Sequence, residues 1–346
     1  MDKKNKILVF GGGTGMSCLL KGLINEVSNS NIDISSVVSV CDDGGSTGIL
    51  RDELDMLAVG DIRRVLIALS ETEESVEKLL DYRFKSGGTL NKHTVGNIML
   101  AAATEMTGSV QKGVELLGNV LNLSGKILPV TESNVTLVGQ MEDDSIVEGE
   151  HNITEIEKNI KKVFYKEIPI IKNELLEEIE NSDLIVLSMG SLYTSLIPCL
   201  ICNEIKNAID KSNAQIVYVC NLFTQPGETE KFKVSDHINV IKSYLGNKKV
   251  NTVIANCGEI DKDLAYKYLA DEQKDPVELD IELVYNLVDR IIVDDLITIE
   301  NDVFRHDTEE LAGLLVSELR KSMKEKYGKS KKKMIFETNK TTKLNI

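Results

Sequence analysis

Six stretches of this 346-residue chain bring glycine, hydroxyl, amide and charged side chains together in patterns suited to phosphate. The first is Gly11-Gly12-Gly13-Thr14-Gly15, placed directly after the apolar run KILVF and before a helix-periodic segment. Glycines let the backbone turn sharply and bring bare N–H groups close to an anion, and the helix start that follows adds partial positive charge. This stretch reads as a phosphate site, with a plain tight turn as the alternative. It has no Walker A lysine, and Met16 stands where a GxGxxG fingerprint needs its last glycine, so ordinary NAD binding is not supported.

The second stretch, CDDGGSTGILR, again closes an apolar strand. Asp42 or Asp43 would hold Mg²⁺, while Gly44, Gly45, Ser46 and Thr47 would receive phosphate on hydroxyls and amides; an Asx-type turn is the alternative. In the third, GDIRR, Asp61 opens a helix with Arg63 and Arg64 in its first turn, where arginine needs a compensating anion. That anion is either the ligand or one of Asp52, Glu53 and Asp55. The fourth offers His93, Gly96 and Asn97 ahead of an apolar helix, for packing, a ligand hydroxyl or proton transfer. The fifth and sixth, GSLYTS with Gly190 and Ser191, and CNLFTQPGET with Asn221, Thr224 and Gln225, each follow a strand.

Strands must position these loops. KILVF, VVSVC, DLIVLSMG, QIVYVCNLF and VNTVIANCG are continuous apolar runs alternating with helix-periodic segments, the pattern of strands buried on both faces of a parallel sheet. The expected fold is α/β, a doubly wound, mainly parallel, Rossmann-like sheet in one domain over 1–325. Between its halves, from about 126 to 155, ILPVT and the segments around MEDD predict a β-hairpin insertion. A final helix starts after DTEE, and 326–346 reads as a disordered basic tail, with weak contact to RNA or an anionic membrane as the lesser alternative.

Composition narrows the class. A hydrophobic content of 42% fills a core, and no apolar run is long enough for a membrane helix, so a cytoplasmic location is expected. The six cysteines lie in apolar segments and read as buried thiols, Cys199 and Cys202 included, although their CxxC spacing also admits zinc or redox chemistry. A net charge of −15 argues against general nucleic-acid binding.

Taken in order, GGGTG, DDGGSTG, GDIRR, the His93/Gly96/Asn97 set, GSLYTS and NLFTQPGET resemble the gluconeogenesis factor (YvcK-like) family, within the CofD-like superfamily of 2-phospho-L-lactate transferases. The likeness runs from about Ile7 to about Leu319. It implies a CofD-like fold that binds a UDP-sugar such as UDP-N-acetylglucosamine, with a role in cell shape and cell-wall synthesis during gluconeogenic growth. It places nucleotide-sugar contacts at Tyr268 and Arg305, which suits ring stacking and diphosphate pairing, and it makes Thr308 either a regulatory phosphorylation site or an N-cap. The chain departs from the family at Ser188-Met189, where Gly-Pro is usual.

Two function classes follow. One is a regulatory protein that senses a nucleotide-sugar, with cell-wall synthesis proteins and a homo-oligomer among its expected partners. The other is a CofD-type transferase using Mg²⁺, for which 5% aromatic residues and no tryptophan give little sign of a flavin shelf. An NAD-dependent dehydrogenase ranks third for want of the fingerprint glycine.

Overall fold

The computed structural model describes residues 4–327 except 29, 55, 86, 157, 301 and 302, together with 335–338. The runs expected as strands form one parallel sheet: β1 (Asn5–Gly11), β2 (Ile32–Val38), β3 (Lys126–Pro129), then, beyond the insertion, β7 (Leu184–Leu187), β8 (Gln215–Val219), β9 (Thr252–Asn256) and β10 (Arg290–Asp294). Their order is β3-β2-β1-β7-β8-β9-β10, with β13 (Ile335–Thr338) parallel beside β10. Ile7 to Phe10 of β1 are almost fully buried because strands flank β1 on both sides and helices cover both faces.

This order fixes where a ligand can sit. The chain leaves β1 toward β2 and β3, then returns to build β7 to β10 on the other side, so the order in which strands are added reverses between β1 and β7, which pair in parallel. At such a switch point the loops leaving neighbouring strands diverge and open a crevice at their carboxyl ends. The loops after β1 and β7 are GGGTG and the segment containing GSLYTS.

Helices α1 (Gly13–Val27), α2 (Gly45–Leu54), α3 (Gly60–Leu69), α4 (Glu74–Asp81), α5 (Val95–Thr107) and α6 (Val110–Leu121) belong to the first half of the sheet. Thr94 caps α5 by accepting from the Asn97 N–H, and Ser109 caps α6 by accepting from the Lys112 N–H.

The insertion contains the expected hairpin, β4 (Leu137–Met141) and β5 (Ile146–Glu148), around the Asp143-Asp144 turn. Its boundaries differ from the expected 126–155. β6 (Ile160–Tyr165) adds a third antiparallel strand, and a short α7 (Glu150–Glu155) bridges β5 to β6, while β3 pairs with β2 in the main sheet. The reason is burial: Ile127 and Leu128 are inside the core, whereas β5 alternates toward solvent.

The second half adds α8 (Asn173–Glu180), α9 (Asn203–Lys211), α10 (Val234–Tyr244), α11 (Lys262–Glu272) and α12 (Ile281–Val284). It ends with a hairpin of β11 (Ile297–Glu300) and β12 (Val303–His306), and with α13 (Thr308–Tyr327). The α13 N-cap is Asp307, whose carboxylate accepts from the Glu310 N–H; Thr308 is the first helical residue, and its carbonyl lies against Gly22 of α1. Of the basic tail, Lys326 and Tyr327 finish α13 and 335–338 form β13; the rest lies outside the described residues. Among the described residues no helix is long and apolar enough to cross a membrane.

Candidate functional site

At the switch point the first glycine loop is packed too closely for side chains. A Cβ on Gly15 would stand 2.5 Å from the Met189 carbonyl oxygen, and one on Gly12 would collide with the Asp61 carboxylate. That carboxylate accepts from the Gly13 N–H and pairs with Arg64 at 2.8 Å, so it rests on the N-terminus of α1. Burial raises its pKa to about 6, and the nearby Asp42 adds to the rise against the pull of Arg64. Sequence reasoning noticed Asp61 only as a helix start; the GD spacing ahead of two arginines was its signal.

The second glycine loop separates the two aspartates. Asp43 accepts from the Glu150 and His151 N–H groups at 3.2 and 2.8 Å, which caps α7 and ties the insertion to the main body. Asp42 accepts from the Gly44 N–H at 3.1 Å, and the Thr47 hydroxyl points to it at 3.5 Å. Ser46, at the start of α2, meets the fourth stretch: its Oγ is 3.0 Å from Nδ1 of His93 and accepts from Nδ2 of Asn97 at 3.3 Å. All three are buried, and the Oδ1 of Asn97 has no partner among the described residues. Arg63 pairs with Asp81 and Arg64 with Asp61, while the side chains of Asp52, Glu53 and Asp55 lie outside the described residues; Arg63 packs against Gly96, and its buried Nε has no partner among the described residues.

The fifth and sixth loops hold each other. Asn221 grips Gly190 through both ends of its amide, accepting from the Gly190 N–H at 3.1 Å and donating to its carbonyl at 2.7 Å. Glu228 is buried and accepts from Ser191 Oγ at 2.7 Å, Thr194 Oγ1 at 3.2 Å and the Tyr193 N–H at 3.2 Å. Burial holds its pKa above the ordinary value against these donors. The same Thr194 hydroxyl reaches Glu150 of the insertion, whose pKa burial and Asp42 raise to about 8. Ser188 donates to the Phe10 carbonyl at 2.8 Å and so joins the ends of β1 and β7. Met189 is buried behind it. Replacing Asn221 by alanine removes two bonds inside this packed region and is expected to cost roughly 1–3 kcal/mol. Calorimetric melting checks this, and an unchanged midpoint would show the clamp to be dispensable.

Thr14, Gly15, Gly190, Asn221, Thr224, Gln225, Tyr268 and Arg305 line a single cavity of about 430 Å³, with Cys18, Phe223 and Phe304. The Thr224 hydroxyl accepts from the Asp275 N–H at 3.0 Å, and the Oε1 of Gln225 is buried without a partner among the described residues. Tyr268 sits in a three-ring cluster, 5.2 Å from Phe223 and 5.1 Å from Phe304, and its hydroxyl accepts from the Phe304 N–H. Phe223 and Phe304 were not singled out from sequence, because aromatic residues in apolar segments look like ordinary core. Arg305 is exposed, and no carboxylate among the described residues pairs with it. His306 is half-buried, with its pKa lowered to about 4 by desolvation and its Nε2 3.1 Å from the Cys220 carbonyl oxygen. Asp42, Asp43, Ser46, His93 and Asn97 do not line this cavity; Asp61 stands between the two groups, against Gly12 and within electrostatic reach of Asp42.

Cys199 and Cys202 are buried with their thiol pKa values raised by desolvation, that of Cys202 to about 12. Cys199 Sγ points to the Gly11 carbonyl at 3.6 Å, beneath the first glycine loop.

Known proteins share this architecture. The gluconeogenesis factor of Bacillus subtilis (strain 168) is 41% identical over 92% of this chain and all of its own length. That of Halalkalibacterium halodurans is 40% identical over 90% of this chain and 95% of its own. The crystal structure of a UPF0052-family protein from Bacillus halodurans superposes with a TM-score of 0.86 at 40% identity, covering 90% of this chain and 100% of that one. The family described as 2-phospho-L-lactate transferase CofD matches residues 7–297. The chain therefore belongs to the CofD family, in its gluconeogenesis factor (UPF0052, YvcK-like) branch.

Proposed function

We propose that the protein is a regulatory binder of a UDP-sugar, such as UDP-N-acetylglucosamine, acting in the cytoplasm on cell shape and cell-wall synthesis during growth on gluconeogenic carbon. The observation that carries this reading is the convergence of the loops after β1, β7 and β8 with Tyr268 and Arg305 on one cavity. Such a cavity suits a nucleotide-sugar, because glycine amides and a free guanidinium meet diphosphate charge while an aromatic wall meets a base. The names of the relatives carry the gluconeogenic part of the proposal.

A divalent cation beside this cavity is part of the proposal, with the ligand's phosphates completing its shell, since among the described residues no group of three or more His, Cys, Asp or Glu side chains gathers there. Asp42 and Asp61 place two carboxylates within electrostatic reach; burial is the main reason the pKa of Asp61 is raised, and the charge of Asp42 adds to it. Mg²⁺ is commonly held by one or two carboxylates together with ligand phosphates, and it would neutralise phosphate charge there. Asp43 is the poorer candidate, since both its oxygens serve the α7 N-terminus. Asp42 and Asp61 would hold the ion, Arg305 would pair with the diphosphate, and Asn221 would keep the Gly190 turn in place.

The second reading is phosphotransfer of the CofD type to a deazaflavin acceptor, favoured by the family match. Calorimetry with UDP-N-acetylglucosamine, UDP-glucose, GDP and NAD, each with and without Mg²⁺, separates the readings. Heat with a UDP-sugar and none with GDP or NAD is the expected result. Turnover of a nucleotide-linked phospholactate, or preference for GDP, would favour the transferase. Thr308 remains the proposed regulatory position, and its test is phosphorylation by a Ser/Thr kinase followed by the same calorimetry.

A further inference from the structure

The buried Ser46–His93–Asn97 group has a hydrogen-bond inventory that constrains where one proton can be. A serine oxygen accepts twice and donates once. Asn97 donates to Ser46 Oγ at 3.3 Å, so the remaining contact, to His93 Nδ1 at 3.0 Å, runs in one of two directions. If Nδ1 is bare, Ser46 gives its only proton to His93 and has none left for an anion. If Nδ1 carries a proton, Nδ1–H and the Asn97 amide fill both lone pairs of Oγ, and the Ser46 O–H is free to turn toward a ligand.

The alternatives differ in what they leave unsatisfied. Ser46 is 4% exposed, and no acceptor for its proton other than His93 Nδ1 is recorded among the described residues. Without a ligand, the second arrangement would bury a hydroxyl proton with no acceptor, a costly state. An anion at the DDGGSTG loop supplies that acceptor.

We infer that His93 and Asn97 are positioning residues that aim the Ser46 hydroxyl, and that binding of a phosphate-bearing ligand moves His93 from its Nε2–H form to a form protonated at Nδ1. The inference rests on the nucleotide-sugar reading for the ligand's identity, but only on phosphate chemistry for the switch. The partnerless Oδ1 of Asn97, on a residue 3% exposed, remains available for a ligand hydroxyl at the same place.

The test is the side-chain nitrogen spectrum of uniformly ¹⁵N-labelled protein at one fixed pH, with the His93 signals assigned by their loss in His93→Gln; the chain has only four histidines. UDP-N-acetylglucosamine is titrated first and pyrophosphate separately, with calorimetry reporting saturation. The expected result is a bare His93 Nδ1 in the free protein that becomes protonated on saturation. In Ser46→Ala, pyrophosphate binding is expected to weaken about tenfold, the worth of one hydrogen bond to a charged group. Saturation with an unchanged His93 Nδ1 overturns the inference alone. Pyrophosphate that binds and switches His93 while the UDP-sugar gives no heat supports the inference and sinks the nucleotide-sugar reading. No heat from either ligand removes both.

Discussion

Arg305→Ala is expected to weaken UDP-N-acetylglucosamine binding by roughly ten- to a hundredfold, the range for losing charge-assisted hydrogen bonds to a diphosphate. The thermal midpoint should hardly move, because the side chain is exposed and among the described residues it bonds only to the neighbouring Phe304 carbonyl at 3.3 Å. Arg305→Lys tests geometry separately from charge, since an ammonium cannot repeat a planar two-pronged contact. Partial recovery with lysine would indicate simple charge attraction; full recovery would remove the argument for a bidentate contact. Equal affinity in wild type and Arg305→Ala, measured by calorimetry, would move the diphosphate away from β12.

The second large effect is on stability. Asp61 and Glu150 have pKa values raised to about 6 and about 8, in both cases first by burial and then by the charge of Asp42. A folded carboxyl with a raised pKa holds its proton longer than the unfolded chain does, so the native state binds more protons and stability falls as pH rises through the folded values. Their contribution is complete below the ordinary carboxylate range and lost by about pH 8. Moving Asp61 from 3.8 to about 6 corresponds to roughly 3 kcal/mol. Thermal melts are therefore expected to drop from about pH 4 to about pH 8, the Asp61 part by about pH 6 and the Glu150 part by about pH 8, and Mg²⁺ should restore most of the loss at the alkaline end. Asp61→Asn should flatten the Asp61 part of the profile and reduce the Mg²⁺ response. A flat profile in wild type would mean that these carboxylates are better solvated than their packing indicates.

The two predictions probe different sides of one crevice. Arg305 lines the cavity from a hairpin added after the last central strand; Asp61 lies outside its lining, behind Gly12 and against the N-terminus of α1. Cation binding at Asp42 and Asp61 would relieve repulsion behind the first glycine loop, while Arg305 would meet ligand charge in the cavity itself.

Much of this was legible in the residues themselves. Apolar runs such as KILVF and DLIVL can be satisfied only as strands buried on both faces, and a glycine-rich turn between such a strand and a helix has few physical alternatives. The cap of α5, by contrast, could not be separated by pattern from a functional threonine next to His93. The insertion boundary was misplaced because ILPV is a short apolar run whose sheet is chosen by its neighbours: β2 was available to pair with it, and periodicity cannot express that.

What the order of residues determined alone was the set of strands, the loops at their ends and the groups able to meet phosphate, because these depend on local pattern and on chemistry each side chain carries with it. Tertiary structure alone decided that Asp43 caps α7 while Asp42 and Asp61 share a charge problem. It also decided that Asn221 and Glu228 hold a neighbouring loop, and that Tyr268 joins Phe223 and Phe304 at one wall of the cavity. The physical reason is that pKa values, hydrogen-bond partners and cavities arise between segments far apart in sequence, and their identity depends on which strand ends the sheet order brings together.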